Sequence, residues 1–218
     1  EVRDVPQPDP GPGQVLVRIA GAGMCHSDLH LIHDFESGMV PFEPPFTLGH
    51  ENAGWVEAVG AGVVGLELGQ PVAVYGPTGC GRCHRCVQGM QNYCEHQAEL
   101  TSMAAGLGDD GGMAQFMLVH DARHLVPLGD LDPVEAAPLT DAGLTPYHAV
   151  KRSADLLVAG STALVIGVGG LGHLGVQILE ALTPATVIAV DTRTSALELA
   201  ATAGAEHTVR AGDDAAAE

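Results

Sequence analysis

Apolar and polar positions alternate along the first part of the chain. In "QVLVRIAGAG" Val15, Val17 and Ile19 share one face, the two-residue period of a strand, and "AGWVEAVG" and "QPVAVYG" are further short strands closed by glycine. "MAQFMLVHDARHLVPL" adds further strand. These segments predict an all-β region carrying loops. Asp132, Pro133 and Glu135 then read as a helix start, with a capping acid, a proline at the first helical position and an acid at the third.

From Ser161 the period changes. Strand "TALVIG", a glycine turn, helix "LGHLGVQILEAL", strand "TVIAVD", helix "SALELAATAG" and strand "EHTVR" follow one another as a βαβαβ unit. The boundary between the two patterns lies near residues 150 to 160, with no internal repeat or long low-complexity linker. The chain therefore reads as α/β, a β-rich domain over residues 1–152 followed by part of a doubly wound parallel sheet over 153–218.

At 218 residues such a chain can bury a real core. Its net charge of −18, from 9 basic and 27 acidic residues, repels phosphate backbones and excludes a nucleic-acid partner. Lys151 is the lone lysine, and the acidity serves solubility. Neither a signal peptide nor an apolar run long enough for a membrane is legible.

Four of the five cysteines fall in "CGRCHRCVQGMQNYC", where Cys80, Cys83, Cys86 and Cys94 are spaced C-x-x-C-x-x-C-x7-C. A two-residue gap sets neighbouring thiolates on one tight turn, and four thiolates at about 2.3 Å make a closed tetrahedral zinc site. Gly79, Gly81 and Gly89 loosen the backbone of this lobe, residues 79–95, and Arg82 and Arg85 offset part of its charge. His84 and His96 are the alternative ligands, but four thiolates fill the shell and leave both at the surface. Disulfides need an oxidising compartment; zinc thiolates without an export signal point to the cytoplasm.

A second constellation is "GVGGLG". Gly167, Gly169 and Gly172, with Gly170 and Leu171 between them, form G-x-G-x-x-G after a strand and at the mouth of a helix. Such glycines let the backbone approach a pyrophosphate seated on the N–H groups of the helix. Asp191 ends the next strand, nineteen residues beyond Gly172, where a carboxylate accepts ribose hydroxyls and repels a 2′-phosphate. This favours NAD, although Arg193 is close enough in sequence to receive such a phosphate. A third set, Cys25 in "GAGMCHSDLH" and His50 in "TLGHENAG", offers ligands for a catalytic zinc with an open position. On spacing alone, a buried cysteine and a core histidine serve equally well.

"GHENAGWVEAVGAGV" resembles the signature of zinc-containing medium-chain alcohol dehydrogenases, and the cysteine lobe resembles their structural-zinc lobe. "PLTDAGLTPYHAV" and "VGVGGLGHLGVQIL" are similar to segments of bacterial NAD-dependent secondary alcohol dehydrogenases. The resemblance covers nearly the whole chain. It implies a GroES-like catalytic domain and a Rossmann domain, with the active site in the cleft between them. It further implies that Cys25, His50 and Asp141 hold the catalytic zinc, that Glu51 approaches the metal when ligands rearrange, and that Asp28 orients the ligand histidine. Ser27 matches the hydroxyl that touches the substrate oxygen, His30 the histidine that passes its proton to solvent, and His26 and Thr145 positions near the cofactor.

The implied reaction is hydride transfer between NAD and a primary or secondary alcohol, a ketone or an aldehyde, with a homo-oligomeric full-length form. Phe35, Phe42 and Phe46 around "DFESGMVPFEPPF" suggest an apolar substrate wall. Family members continue through a second βαβ half, so the sequence is expected to be a fragment and inactive alone. A polyol or formaldehyde-type dehydrogenase, or a non-catalytic zinc-binding fragment, are the alternatives.

Overall fold

The computed structural model describes residues 2–36, 42–100 and 102–212. Two compact units divide the chain, Glu1–Asp141 and Ala142–Glu218. In the first lie β1 (Val15–Gly23), α1 (His26–His33), β2 (Glu51–Val59), β3 (Pro71–Val74), α2 (His84–Val87), β4 (Ala104–Ala105), β5 (Gly108–Asp109), β6 (Phe116–Val119), β7 (Leu125–Pro127) and α3 (Pro133–Ala136). The second holds α4 (Leu144–Arg152), β8 (Thr162–Ile166), α5 (Gly170–Leu182), β9 (Thr186–Asp191), α6 (Thr194–Thr202) and β10 (His207–Arg210).

The alternating segments of the first unit pair into an antiparallel sheet of order β6-β1-β2-β3-β7. Val15 and Val17 meet Val56, Val72, Val74, Met117, Val119 and Leu125 in its main core. Leu16 points to the opposite face, yet is only 2% exposed, so the start of β1 is buried on both sides. A smaller apolar cluster joins Ala53 and Ala73 to Ala137, just beyond α3. At the start of α3 the Asp132 carboxylate accepts from the Val134 amide at 2.8 Å, the cap expected there. The turn Ala137–Thr140 then leads the chain to Asp141.

One element corrects the all-β reading of this region. α1 follows Cys25, whose N–H donates to Asp28 Oδ2 at 2.9 Å while the Asp28 N–H returns to the Cys25 carbonyl at 3.1 Å. This reciprocal pair satisfies amides that the helix leaves open at its first turn. Asp28 is the buried residue of α1, and Leu29 and Ile32 stay exposed.

In the second unit β10, β9 and β8 run parallel in that order. Val187 and Ala189 of β9 pack with Val176 and Leu179 of α5 and Ala196 and Ala200 of α6. Val150 of α4 joins the same core, which is why α4 groups with this unit rather than with the sheet before it. On β8, Ala163 and Val165 pack against that core, and Leu164 and Ile166 on the other face are exposed. Among the described residues no helix is long and apolar enough to cross a membrane.

Candidate functional site

The four clustered cysteines converge in the first unit. Cys83 caps α2, Cys86 lies on it, and Cys80 and Cys94 approach from the flanking turns. Their sulfurs all lie within 4.8 Å of one another, with Cys80 to Cys86 and Cys83 to Cys94 each at 4.0 Å. Four sulfurs tetrahedral about zinc sit about 3.8 Å apart, whereas a disulfide needs about 2.05 Å. All five cysteines are free thiols. Backbone N–H groups point at the sulfurs, from Cys83 to Cys80 at 3.3 Å, Cys86 to Cys83 at 3.4 Å and His96 to Cys94 at 3.4 Å. Amides of Cys86 and Glu95 pull the Cys83 thiol down to about 6, while burial pushes Cys86 up to about 12. At Gly79 a Cβ would lie 2.6 Å from the Cys86 sulfur, so the chain needs a glycine where it wraps the cluster. His84 is exposed and His96 pairs with Glu99 at 3.0 Å, which leaves the thiolates as the converging donors.

A second convergence draws on three separated segments. Cys25 stands before α1, His50 before β2 and Asp141 after α3, and their donor atoms also lie within 4.8 Å of one another. His50 Nε2 is 3.6 Å from Asp141 Oδ2, and on its other side Nδ1 faces Asp28 Oδ1 at 3.4 Å. Asp28 is fully buried, and neither of those facing atoms has a hydrogen bond of good geometry. The carboxylate of Asp141 is the largest influence on His50 and raises it to about 9, against burial and with help from Cys25 and Asp28. A thiolate, an imidazole and a carboxylate aimed at one point, with a buried acid behind the imidazole, fit zinc with an open position.

The remaining expected residues fall on several elements. Ser27, on the first turn of α1, places its hydroxyl 3.6 Å from the Cys25 sulfur. His26 and His30 are exposed on the same helix, and His30 Nδ1 pairs with Asp34 at 2.8 Å. Glu51 opens β2 and is 5% exposed. Thr145 belongs to the second unit, on the first turn of α4. Phe42 and Phe46 stack edge to face with centroids 5.5 Å apart, while residues 37–41 of the expected apolar wall lie outside the described residues.

Two residues that the sequence did not single out join this pocket together. Asn52, 1% exposed, donates its side-chain amide to the Gly49 carbonyl at 2.9 Å, and its backbone N–H to Thr140 Oγ1 at 3.1 Å. It thereby links the residue before His50 to the residue before Asp141. The Gly112 amide also donates to the Gly49 carbonyl, at 3.0 Å, and the Gly111 amide to Thr47 at 2.8 Å, so a glycine-rich strap braces the histidine loop. The asparagine in "GHENAG" was the available signal, but its partner lies 88 residues away.

In the second unit the glycine turn opens α5, with Gly169 as its cap and Gly170, Leu171 and Gly172 in its first turn. A Cβ at Gly172 would lie 1.9 Å from the Gly167 carbonyl oxygen, so strand and helix approach as only glycine allows. Asp191 ends β9 and accepts from the Val168 amide at 2.7 Å and the Arg193 amide at 2.9 Å. These donors, with the Arg193 guanidinium at 3.3 Å, hold the Asp191 carboxyl down at about 2. The cradle and the fixed acid fit a dinucleotide.

An "NAD-dependent alcohol dehydrogenase" of Sulfurisphaera tokodaii is 41% identical over 217 residues, 97% of this chain and 60% of that protein. A "D-arabinose 1-dehydrogenase (NADP(+))" of Saccharolobus solfataricus is 39% identical over 83% of this chain and 50% of its own length. The crystal structure of the alcohol dehydrogenase from Aeropyrum pernix superposes with a TM-score of 0.88 at 44% identity, covering 98% of this chain and 62% of that one. The chain thus spans about 60% of the length of such relatives. A GroES-like β-rich unit followed by the first strands of a Rossmann sheet is the fold they share with it. The family described as the alcohol dehydrogenase GroES-like domain matches residues 11–130, more than half of the chain. The chain therefore belongs to that family, within the zinc-containing medium-chain alcohol dehydrogenases.

Proposed function

We propose that this chain is the catalytic domain and the first part of the NAD-binding domain of a zinc-dependent alcohol dehydrogenase. The observation that carries the reading is the convergence of Cys25, His50 and Asp141 within 4.8 Å from three separate segments. These three would hold the catalytic zinc, and Cys80, Cys83, Cys86 and Cys94 would hold a structural one in the lobe at 79–95. Zinc held there would supply Lewis acidity to an alcohol or carbonyl oxygen, and a bound NAD would serve as the hydride carrier.

The chain's own residues do the rest. Asp28, buried behind His50, orients the imidazole so that Nε2 faces the metal position. Ser27 would accept the proton of the alcohol as it gives up its own hydroxyl proton, and His30 would pass that proton to solvent. Glu51 stands in reserve beside the ligands. Gly167, Gly169, Gly170, Leu171 and Gly172 cradle the pyrophosphate, Asp191 accepts the ribose hydroxyls, and Arg193, His26 and Thr145 stand near the cofactor. The substrate is a small alcohol, ketone or aldehyde, the full-length form is a homo-oligomer, and the setting is the cytoplasm. The net charge of −18 favours small-molecule partners over nucleic acid.

A second reading, a sugar or polyol dehydrogenase, is favoured by the D-arabinose 1-dehydrogenase relative. An alcohol, polyol and aldehyde panel with NAD and NADP, run on the zinc-loaded protein in its full natural length, separates the two. Simple alcohols oxidised with NAD, and no turnover in Cys25→Ala, are expected. Turnover confined to polyols or sugars would replace the first reading with the second.

A further inference from the structure

α1 carries His26, His30 and His33 at i, i+4 and i+7, a spacing that puts all three on one helix face. All three are exposed. The rings of His26 and His30 meet edge to face, with centroids 4.8 Å apart and an interplanar angle of 64°. Two imidazoles on one tetrahedral zinc, each nitrogen at about 2.0–2.1 Å, put their ring centroids about 5 Å apart. The pair already stands at that separation. Asp34 Oδ2 lies 2.8 Å from Nδ1 of His30, which leaves Nε2 as the free nitrogen and supplies the carboxylate partner that metal-binding histidines use.

We propose that His26 and His30 form a surface site for a borderline divalent cation such as zinc, separate from the pocket of Cys25, His50 and Asp141. Water completes the coordination, and Asp34 positions His30 through Nδ1. The chain's charge of −18 raises the local concentration of cations. Two neutral ligands and an open shell make this a weak site that fills only when free metal rises. Where the proton leaves through His30, as in the dehydrogenase reading above, a cation held here opposes turnover. That consequence rests on the reading; metal binding at the pair does not.

The test reads binding alone. The 218-residue chain, loaded with zinc and freed of weakly held metal by gel filtration, is titrated with Zn2+ by calorimetry. One further equivalent is expected, absent in both His26→Gln and His30→Gln and retained in His33→Gln and Cys25→Ala. Its affinity falls about tenfold or more in Asp34→Asn. No further equivalent in the parent chain, or one that survives both His26→Gln and His30→Gln, overturns the proposal.

Discussion

The buried carboxylate of Asp28 faces Nδ1 of His50 at 3.4 Å, while the opposite nitrogen of the same ring faces Asp141. One imidazole is thus held between an orienting acid and a ligand acid. Because Asp28 also receives the Cys25 amide at 2.9 Å, the same side chain sets the helix cap that positions the thiol. Asp28→Asn keeps the shape and removes the charge. Zinc affinity at this pocket should fall about 10–100-fold, with the cysteine lobe unaffected, in a competition titration against a chromophoric chelator. An unchanged affinity would remove Asp28 from the metal centre.

The bond from the Asn52 amide to Thr140 Oγ1 gives a second test. Thr140→Val deletes the acceptor and strands a buried N–H, which costs about 1–3 kcal/mol; Thr140→Ser keeps the oxygen and should restore most of it. Urea unfolding measures the stability change, and zinc titration measures whether the Asp141 ligand has drifted. Equal stability in Val and Ser variants would show that the bond contributes nothing.

Gly172 reports on the nucleotide turn. A methyl group there would lie 1.9 Å from the Gly167 oxygen, so strand and helix must part in Gly172→Ala. Such overpacking costs about 1–3 kcal/mol and spoils the cradle for a pyrophosphate. Thermal unfolding and a dinucleotide titration of the same variant should both register the change; a variant with parental stability and binding would place the pyrophosphate elsewhere.

Acid titration isolates Asp191. Its folded value of about 2 lies below the ordinary 3.8, so the unfolded chain takes up the proton first. The stabilisation it provides is therefore complete above roughly pH 4 and disappears as pH falls through 2. Asp191→Asn should flatten this part of the acid-unfolding profile, measured by circular dichroism. A profile identical to the parent's would mean that the amides of Val168 and Arg193 do not stabilise the charge.

The strands were legible because a single burial pattern governs them. "TVIAVD" is a short apolar run bounded by polar residues, the mark of a strand covered on both faces, and Val187, Ala189 and Asp191 are buried while the residues between them are less so. The cysteine lobe was legible from spacing alone, since α2 and its flanking turns are too short to separate the thiols. α1 was not. Its apolar residues Leu29 and Ile32 stay exposed, so no hydrophobic period marks the helix, and it is fixed by the Cys25 and Asp28 cap. The tie between Asn52 and Thr140 was equally silent. A backbone amide of one segment meets a hydroxyl of another, and neither leaves a pattern in the sequence.

Tightly held zinc per chain, by elemental mass spectrometry on the 218-residue protein and on Cys25→Ala, decides whether the pocket of Cys25, His50 and Asp141 holds a metal ion. Two zinc ions in the parent and one in the variant are expected, the lobe keeping its ion while the pocket of His50 and Asp141 loses its own. One zinc in both proteins would contradict the account, leaving a structural lobe and no metal where Cys25, His50 and Asp141 converge.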